Sequence, residues 1–236
     1  MIQPGFKRDE LRARYAVSAI HEDQWHSFGD QWRREFVKFA IPSSAKNDGR
    51  LLNAGSGIYA LNLSSWEEVA IDLFNEPLLD RKLAVCGNVA NLPFCECAFD
   101  AVVCTGEVLG YCDPPRAIAE FSRVIRPCGM LLCDFGSTRS SRYWMKKAYG
   151  RASDLVTVEY NGEPERIWIY DPKYILSLLR QFGFRVIARY GIYGWATLLA
   201  RLGAAPSFAV RAEWLQRIMP FPAGSADIAV IVAQRL

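Results

Sequence analysis

The sequence has little histidine and no strong metal-ligand motif. Its 236 residues include two histidines, His21 and His26, and its seven cysteines form no Cys-x-x-Cys pair. The single Cys95-x-Cys97 is a weak metal signal, so we expect no catalytic metal. An odd number of cysteines is typical of reduced thiols, mostly packed in the interior, and this predicts a cytoplasmic protein.

Long apolar runs and basic blocks are also missing. Uncharged stretches are short, with about a dozen residues at 84–95 and 16 at 51–66, whereas a membrane helix needs roughly 20 apolar residues. The charged first residues do not resemble a signal peptide. The 28 Lys and Arg residues are scattered among 25 Asp and Glu residues. We therefore expect neither a membrane span nor a nucleic-acid partner.

A hydrophobic content of 51% and a charged content of 22% are sufficient for one well-packed domain. Helical periodicity is strongest in residues 22–41, which predicts an amphipathic helix followed by a polar break at 42–49. Its apolar stripe recurs every three or four residues and consists of Trp25, Phe28, Trp32, Phe36 and Phe39.

From residue 50 onward the pattern is that of an α/β protein. Continuous apolar runs are typical of parallel strands that are covered on both faces. Asp113-Pro114 and Asp171-Pro172 each begin a predicted helix, with Asp as the N-cap and Pro in the first turn. Two further strands are predicted at 184–190 and 227–234. The five apolar runs are 51–54, 69–72, 83–86, 100–104 and 130–134.

The first two runs end in residues that are suited to nucleotide binding. Gly55 and Gly57 follow the first run, and without a Cβ they let the backbone turn sharply and approach a ligand. Asp72 ends the second run, where a carboxylate can accept both hydroxyls of a ribose. Ligands of open α/β sheets bind outside these strand ends.

The motifs that follow are more specific in combination. They are Gly-Asn-Val-Ala-Asn-Leu-Pro-Phe at 87–94, Glu-Val-Leu at 107–109, and Arg-x-x-Arg-Pro-x-Gly at 123–129. Their order over about residues 50–135 resembles the class I S-adenosylmethionine-dependent methyltransferases, close to the group called methyltransferase domain type 11. The resemblance implies a Rossmann-like α/β fold with seven strands, the last one antiparallel, and S-adenosyl-L-methionine as the cofactor.

The resemblance also implies which residues contact the cofactor. They are Asn53, Ala54, Gly55 and Gly57 against the methionine part, Asp72 on the ribose, Leu73 beside the adenine, Asn88 and Val89 near the adenine amino group, and Cys104 and Thr105 beneath the sulfonium.

Three departures from the family pattern leave alternatives open. Asn53 stands where the family usually has Asp or Glu, and Tyr59 replaces the third glycine of the loop. Only about ten residues separate Gly57 from Glu68, so the first crossover is shortened, as in relatives associated with sugar or glycan biosynthesis. A non-catalytic partner subunit is one alternative. A dinucleotide-dependent oxidoreductase fits less well, because its glycine motif opens a long helix.

The predicted function is methyl transfer to a small or a lipid- or sugar-linked biosynthetic acceptor. If that acceptor loses a proton, a base is needed. The candidates are His21, His26, Glu107 and Tyr111, and Tyr111 is the preferred polar group to reach the acceptor. The oligomeric state is left open.

We expect one domain over 1–236, with a helical cap at 1–45, a cofactor-binding half at 46–136 and a substrate-side half at 137–236. Its insertion at 191–222 alternates aromatic residues with arginines, which fits either a pocket roof or peripheral contact with lipid. The helix from Trp25 to Phe39 and the segment from Trp195 to Trp214 are predicted to close over one pocket.

Overall fold

The computed structural model describes residues 24–44, 48–160 and 163–236, without the side chains at 24–26, 42–44, 160, 163 and 217. The helices in these ranges are α1 (Gln24–Ser44), α2 (Pro114–Val124), α3 (Pro172–Gln181), α4 (Gly194–Arg201) and α5 (Pro206–Arg211). The strands are β1 (Gly49–Ala54), β2 (Trp66–Asp72), β3 (Ala84–Cys86), β4 (Phe99–Cys104), β5 (Ile125–Gly136), β6 (Ser153–Tyr160), β7 (Glu163–Tyr170), β8 (Phe184–Ile192) and β9 (Ile228–Arg235).

Seven of these strands form one sheet in the order β3-β2-β1-β4-β5-β9-β8. Strands β1 to β5 pair in parallel, and β9 runs antiparallel to both of its neighbours. The predicted fold is therefore confirmed. The strand order reverses between β1 and β4, so the crevice at their carboxyl ends is the expected ligand site of such a sheet.

The two faces of the sheet are covered differently. Helices α2 and α3 pack on one face through Ile118, Phe121 and Leu179. On the other face, β1 connects to β2 through residues 55–65 without a helix, which confirms the shortened crossover. Helix α1 packs there instead, with Val37 and Ile41 in the same apolar cluster as strands β1, β4 and β5.

The aromatic stripe predicted for α1 is only partly correct. Phe28, Trp32 and Phe36 are half-buried, but Phe39 is 64% exposed. The buried face is centred on Val37 and its neighbours, and a rotation of about 100° per residue places Phe39 roughly 160° away from Val37. The helix also continues to Ser44, beyond the predicted end at residue 41.

Two further predictions need correction. The run 83–86 forms the edge strand β3, whose residues are not buried, because β3 has a neighbour on one side only. The cysteines are all free, but fewer than half are packed in the interior. Cys104, Cys112 and Cys133 are buried, Cys97 is intermediate, and Cys86, Cys95 and Cys128 are exposed.

Two strands and two helices of the described residues were not predicted from the sequence. Strands β6 and β7 form a separate antiparallel hairpin, and helices α4 and α5 lie in the insertion. The sequence does indicate the hairpin, because Asn161-Gly162 between alternating apolar residues favours a two-residue turn.

Candidate active site

The loop after β1 lies at the reversal of strand order. The N–H groups of Gly55 and Ser56 donate to the carbonyl oxygen of Ile71 at 2.8 and 3.1 Å. Gly55 has φ +72°, and a Cβ there would lie 2.4 Å from a methyl carbon of Val108. Gly57 has φ +49°, but nothing lies within 4 Å of the position of its Cβ. Gly55 is therefore required for packing, whereas the face of Gly57 is open to a ligand.

Asp72 fixes this loop to the end of β2. It is 2% exposed, and its carboxylate accepts hydrogen bonds from the N–H groups of Gly57 at 2.9 Å and Phe74 at 3.2 Å. Burial raises the pKa of Asp72, and these backbone donors oppose that shift. The carboxylate thus stands between β2 and the glycine loop, at the position predicted for the ribose.

Asn53 has a structural role that explains its departure from the family pattern. Its amide nitrogen donates to the carbonyl oxygen of Tyr59 at 3.1 Å and to the carboxylate of Glu68 at 2.8 Å. The same carboxylate accepts the N–H of Leu61 at 2.9 Å. An acid at position 53 would face Glu68 with a like charge. The carboxylate that holds this loop therefore belongs to Glu68 of β2 and not to position 53 of β1.

The other predicted cofactor residues differ in accessibility. Ala54 and Cys104 have no exposed surface and belong to the core on the side of α2. Leu73, Asn88 and Thr105 are partly exposed, and Val89 is buried. Of these residues, a ligand can therefore contact the side chains of Leu73, Asn88 and Thr105.

A second polar cluster lies at the ends of β4 and β5. Asp134 has no exposed surface and accepts hydrogen bonds from the N–H groups of Gly106 at 3.1 Å and Glu107 at 2.7 Å. It also accepts one at 2.9 Å from Nε of Arg33 on α1. Glu107 has φ +59°, a left-handed conformation. The carboxylate of Asp134 therefore holds a strained turn in place.

Glu107 is the least constrained carboxylate of this cluster. Its side chain is 27% exposed, and its nearest ion-pair contact is Arg33 at 4.0 Å. The pKa of Glu107 is raised to about 7, mainly by burial and also by the charges of Asp134 and Asp227, while Arg33 and Arg142 oppose the shift. A carboxyl group of this kind can accept a proton near neutral pH.

Several residues of this cluster were not predicted from the sequence. Arg142 pairs with Asp227 at 2.7 Å, and burial raises the pKa of Tyr193, the residue before α4. These residues lie far apart in the chain and carry no local motif. Asp134 had a signal, because it ends an apolar run as Asp72 does. The residues missed are Arg33, Asp134, Arg142, Tyr193 and Asp227.

The remaining candidates have mixed outcomes. The hydroxyl of Tyr111 donates to Glu165 of β7 at 2.8 Å, so in this structure it faces the hairpin, and its contact with an acceptor stays a prediction. His21 lies outside the described residues, and the side chains of Trp25 and His26 are not described. Helices α1 and α5 do contact each other.

Within the described ranges, no three His, Cys, Asp or Glu side chains gather as they would around a metal ion. No helix in this part of the chain is both long and apolar enough to cross a membrane.

The motif-bearing segment matches a known family. The family model of the methyltransferase domain matches residues 52–133, which include the glycine loop, Asp72 and Glu107. This segment is therefore similar to a methyltransferase domain. This agrees with the resemblance drawn from the motifs.

A curated protein is similar to a longer part of the chain. A malonyl-(acyl-carrier protein) O-methyltransferase from Herminiimonas arsenicoxydans is 32% identical over 139 residues, which cover 55% of this chain and 52% of that protein. The chain thus spans about half the length of this curated relative.

Two solved structures are similar to nearly the whole chain. One is a 1,6-didemethyltoxoflavin N1-methyltransferase from Burkholderia thailandensis with bound S-adenosylhomocysteine, with a TM-score of 0.58, 14% identity and coverage of 99% of this chain and 92% of that one. The other is a 4+2 cyclase, with a TM-score of 0.59, 19% identity and coverage of 96% and 92%. These likenesses show the fold alone, and the two names show that one fold serves different reactions.

Proposed function

We propose that this protein is an S-adenosylmethionine-dependent methyltransferase. The observation that carries the proposal is the open face of Gly57 beside the Asp72 carboxylate, at the reversal of strand order in a matched methyltransferase domain. The toxoflavin methyltransferase named above, whose structure contains S-adenosylhomocysteine, supports the choice of cofactor.

The residues present fit this cofactor. Gly57 and Gly106 have open Cβ positions after β1 and β4, so the backbone at both strand ends can approach a ligand. A carboxylate offers about four acceptor positions, and Asp72 uses them on the N–H groups of Gly57, Phe74 and Leu73, so a ribose hydroxyl would take a remaining one at the small exposed part of the residue. When bound, S-adenosylmethionine supplies an electrophilic methyl group on a sulfonium that leaves as a thioether.

The acceptor we propose is a small molecule whose oxygen or nitrogen loses a proton on methylation. Glu107 would take that proton, since it combines partial exposure with a pKa near neutrality. Arg33 and Asp134 would position it, because Asp134 holds the turn of Glu107 through two N–H groups. A lipid- or sugar-linked acceptor and a cytoplasmic location remain predictions from the sequence.

A non-catalytic role has lost part of its support. The main argument for it was Asn53, and the Glu68 carboxylate now accounts for that residue through a 2.8 Å hydrogen bond. The reversed strand β9 also favours a methyltransferase over a dinucleotide-dependent oxidoreductase, whose sheet is built from two βαβαβ halves with parallel strands.

The proposal is tested by calorimetry with S-adenosylmethionine and S-adenosylhomocysteine. We expect both to bind the parent protein. Loss of a hydrogen bond to a charged group costs about 1.5–3 kcal/mol, so Asp72→Ala should bind roughly ten- to a hundredfold more weakly.

Asp80→Ala is the matched control, because Asp80 is an exposed acid outside the site and its loss should leave affinity unchanged. Transfer of a labelled methyl group to a small-molecule extract then tests turnover. If the parent protein binds neither compound, the proposed function is wrong. If Asp72→Ala binds as tightly as the parent, the ribose assignment is wrong.

A further inference from the structure

Two basic segments, 139–151 and 191–222, form one surface lobe. Arg201 at the end of α4 donates a hydrogen bond to the carbonyl oxygen of Ser141 at 3.1 Å. Its guanidinium also lies over the ring of Trp144, 5.7 Å from the centroid. Helices α4 and α5 contact each other and the short helix at 212–217, so the two segments share one outer surface.

This lobe exposes large apolar side chains. Met145 is 98% exposed and Leu202 is 75% exposed, and aromatic residues accompany them. Scattered exposed apolar residues are ordinary, but a group of them on one part of the surface marks an interaction site. The group consists of Trp144, Met145, Leu202, Phe208, Trp214, Ile218 and Met219.

The short helices of the lobe place small residues inward and large ones outward. In α5, Ala209 and Val210 are buried while Phe208 is exposed. In the following short helix, Ala212 is buried and Trp214 is exposed. A helix that folds only against its own core shows the opposite arrangement. Contact with an apolar medium outside the protein would therefore stabilise this outward apolar face.

The charge of the lobe is strongly one-sided. Its two segments contain eight Lys and Arg residues and one acid, a net charge of +7, whereas the whole chain has a net charge of +3. The remaining residues therefore have a net charge of −4. Three of their acids, Asp171, Asp227 and Asp154, pair with Arg139, Arg142 and Arg151 of the lobe, which leaves the lobe a net charge of +4. The single acid, Glu213, is buried and accepts backbone N–H groups at the start of α4. Lys146, Lys147 and Arg211 are exposed beside the apolar residues.

We propose that this lobe docks on the surface of an anionic lipid membrane. Trp and Phe partition into the interface between headgroups and acyl chains, and basic side chains are attracted to anionic headgroups. An acidic protein surface would complement the charge, but it would have to bury at least seven protruding apolar side chains from separate short elements. A fluid bilayer accommodates such a set without matching its shape.

The test is co-sedimentation of the full chain with two kinds of vesicle, of phosphatidylcholine alone and of phosphatidylcholine mixed with phosphatidylglycerol. We expect binding to the mixed vesicles, weaker binding to the neutral ones, and loss of binding at high salt. Each basic residue near such a surface contributes about fivefold in affinity, so the triple variant Lys146→Gln, Lys147→Gln, Arg211→Gln should bind about a hundredfold more weakly.

Apolar contact is tested separately with Phe208→Ala and Trp214→Ala, each expected to weaken binding about tenfold. The matched controls are Leu79→Ala and Lys82→Gln, which lie on exposed surface beside the edge strand β3 at the other end of the sheet. They should bind as the parent does. Calorimetry with S-adenosylmethionine should give the same affinity for every variant, which separates this proposal from the proposed function.

Two outcomes would overturn the proposal. One is the absence of binding to either vesicle, or binding that the lobe variants and the controls reduce equally. The other is concentration-dependent self-association that Trp214→Ala abolishes in sedimentation velocity without any vesicle binding, because the surface would then be an interface between copies of the chain.

Discussion

The carboxyl edge of the sheet has two sides that are built by different means. At β1 and β2, the backbone forms the site, with Gly55 and Gly57 held by the carbonyl oxygen of Ile71 and the carboxylate of Asp72. At β4 and β5, charged side chains form it, and Arg33 and Asp134 make the central contact. The first side uses residues within about 20 positions of one another, whereas the second joins segments from the whole chain.

This difference matches what we propose that each side recognises, the cofactor at β1 and β2 and the acceptor at β4 and β5. A cofactor common to many enzymes can be held by backbone geometry, which is insensitive to most side chains. An acceptor that differs between enzymes must be recognised by side chains. We therefore expect changes on the first side to affect cofactor affinity, and changes on the second side to affect turnover and stability.

The largest effect is expected at Glu107. Removal of a general base lowers turnover by about a hundred- to ten-thousandfold, and Glu107→Gln should do this while cofactor affinity stays near the parent value. Because the pKa of Glu107 is about 7, turnover of the parent should fall about tenfold per unit below pH 7. A pH profile of the variant that keeps this acidic decline would contradict the assignment.

A readout that needs no acceptor is available for the same residue. The pKa of Glu107 in the folded chain lies above its ordinary value, so its ionisation destabilises the fold as pH rises through about 7. Glu107→Gln should therefore be more stable than the parent at pH 8 in urea unfolding. The two proteins should differ less at pH 4, where the parent carboxyl is protonated.

The second effect concerns the ion pair of Arg33, whose side chain is 14% exposed, with the buried Asp134. Loss of one partner leaves an uncompensated buried charge, so Arg33→Met should cost about 3–5 kcal/mol of the free energy of unfolding. The control is Arg126→Met, since Arg126 pairs with Asp100 at 50% exposure and should cost at most about 1 kcal/mol. Equal losses in urea unfolding would show that the buried cluster is not a stability centre.

A smaller effect separates Gly57 from another glycine in the same conformation. Gly57 and Gly150 both have positive φ and open Cβ positions, so an alanine at either should cost about 1–2 kcal/mol of folding stability. Only Gly57→Ala should weaken cofactor binding, by roughly tenfold or 1.4 kcal/mol. If calorimetry gives the same affinity for both variants, the open face of Gly57 is not the cofactor site.

The smallest effect is expected at Tyr111. Tyr111→Phe removes the hydroxyl that donates to Glu165, and turnover should fall about three- to tenfold, as for the loss of one ordinary hydrogen bond. Cofactor affinity should stay within about twofold. The comparison variant is Glu165→Gln. If it lowers turnover equally, Tyr111 acts by positioning the hairpin, and unchanged turnover in both variants assigns Tyr111 to packing.

The sequence by itself determined the sheet and the glycine loop after β1. Continuous apolar runs, N-caps at Asp113 and Asp171, and the loop from Gly55 to Gly57 all follow from interactions between residues close in the chain. The short crossover could also be predicted, because the number of residues between two strands limits whether a helix can form between them. The alternating strands of the hairpin were readable too, from Asn161-Gly162, although that signal was missed.

Only the tertiary structure decided the polar cluster at β4 and β5 and the place of α1. Helix α1 covers the face left open by the short crossover, and this brings Arg33 to Asp134 across 101 positions of sequence. The pairing of Asn53 with Glu68 likewise turns an apparent defect into a matched contact. Such contacts depend on packing between distant segments, and the periodicity of a single segment contains no information about its partner.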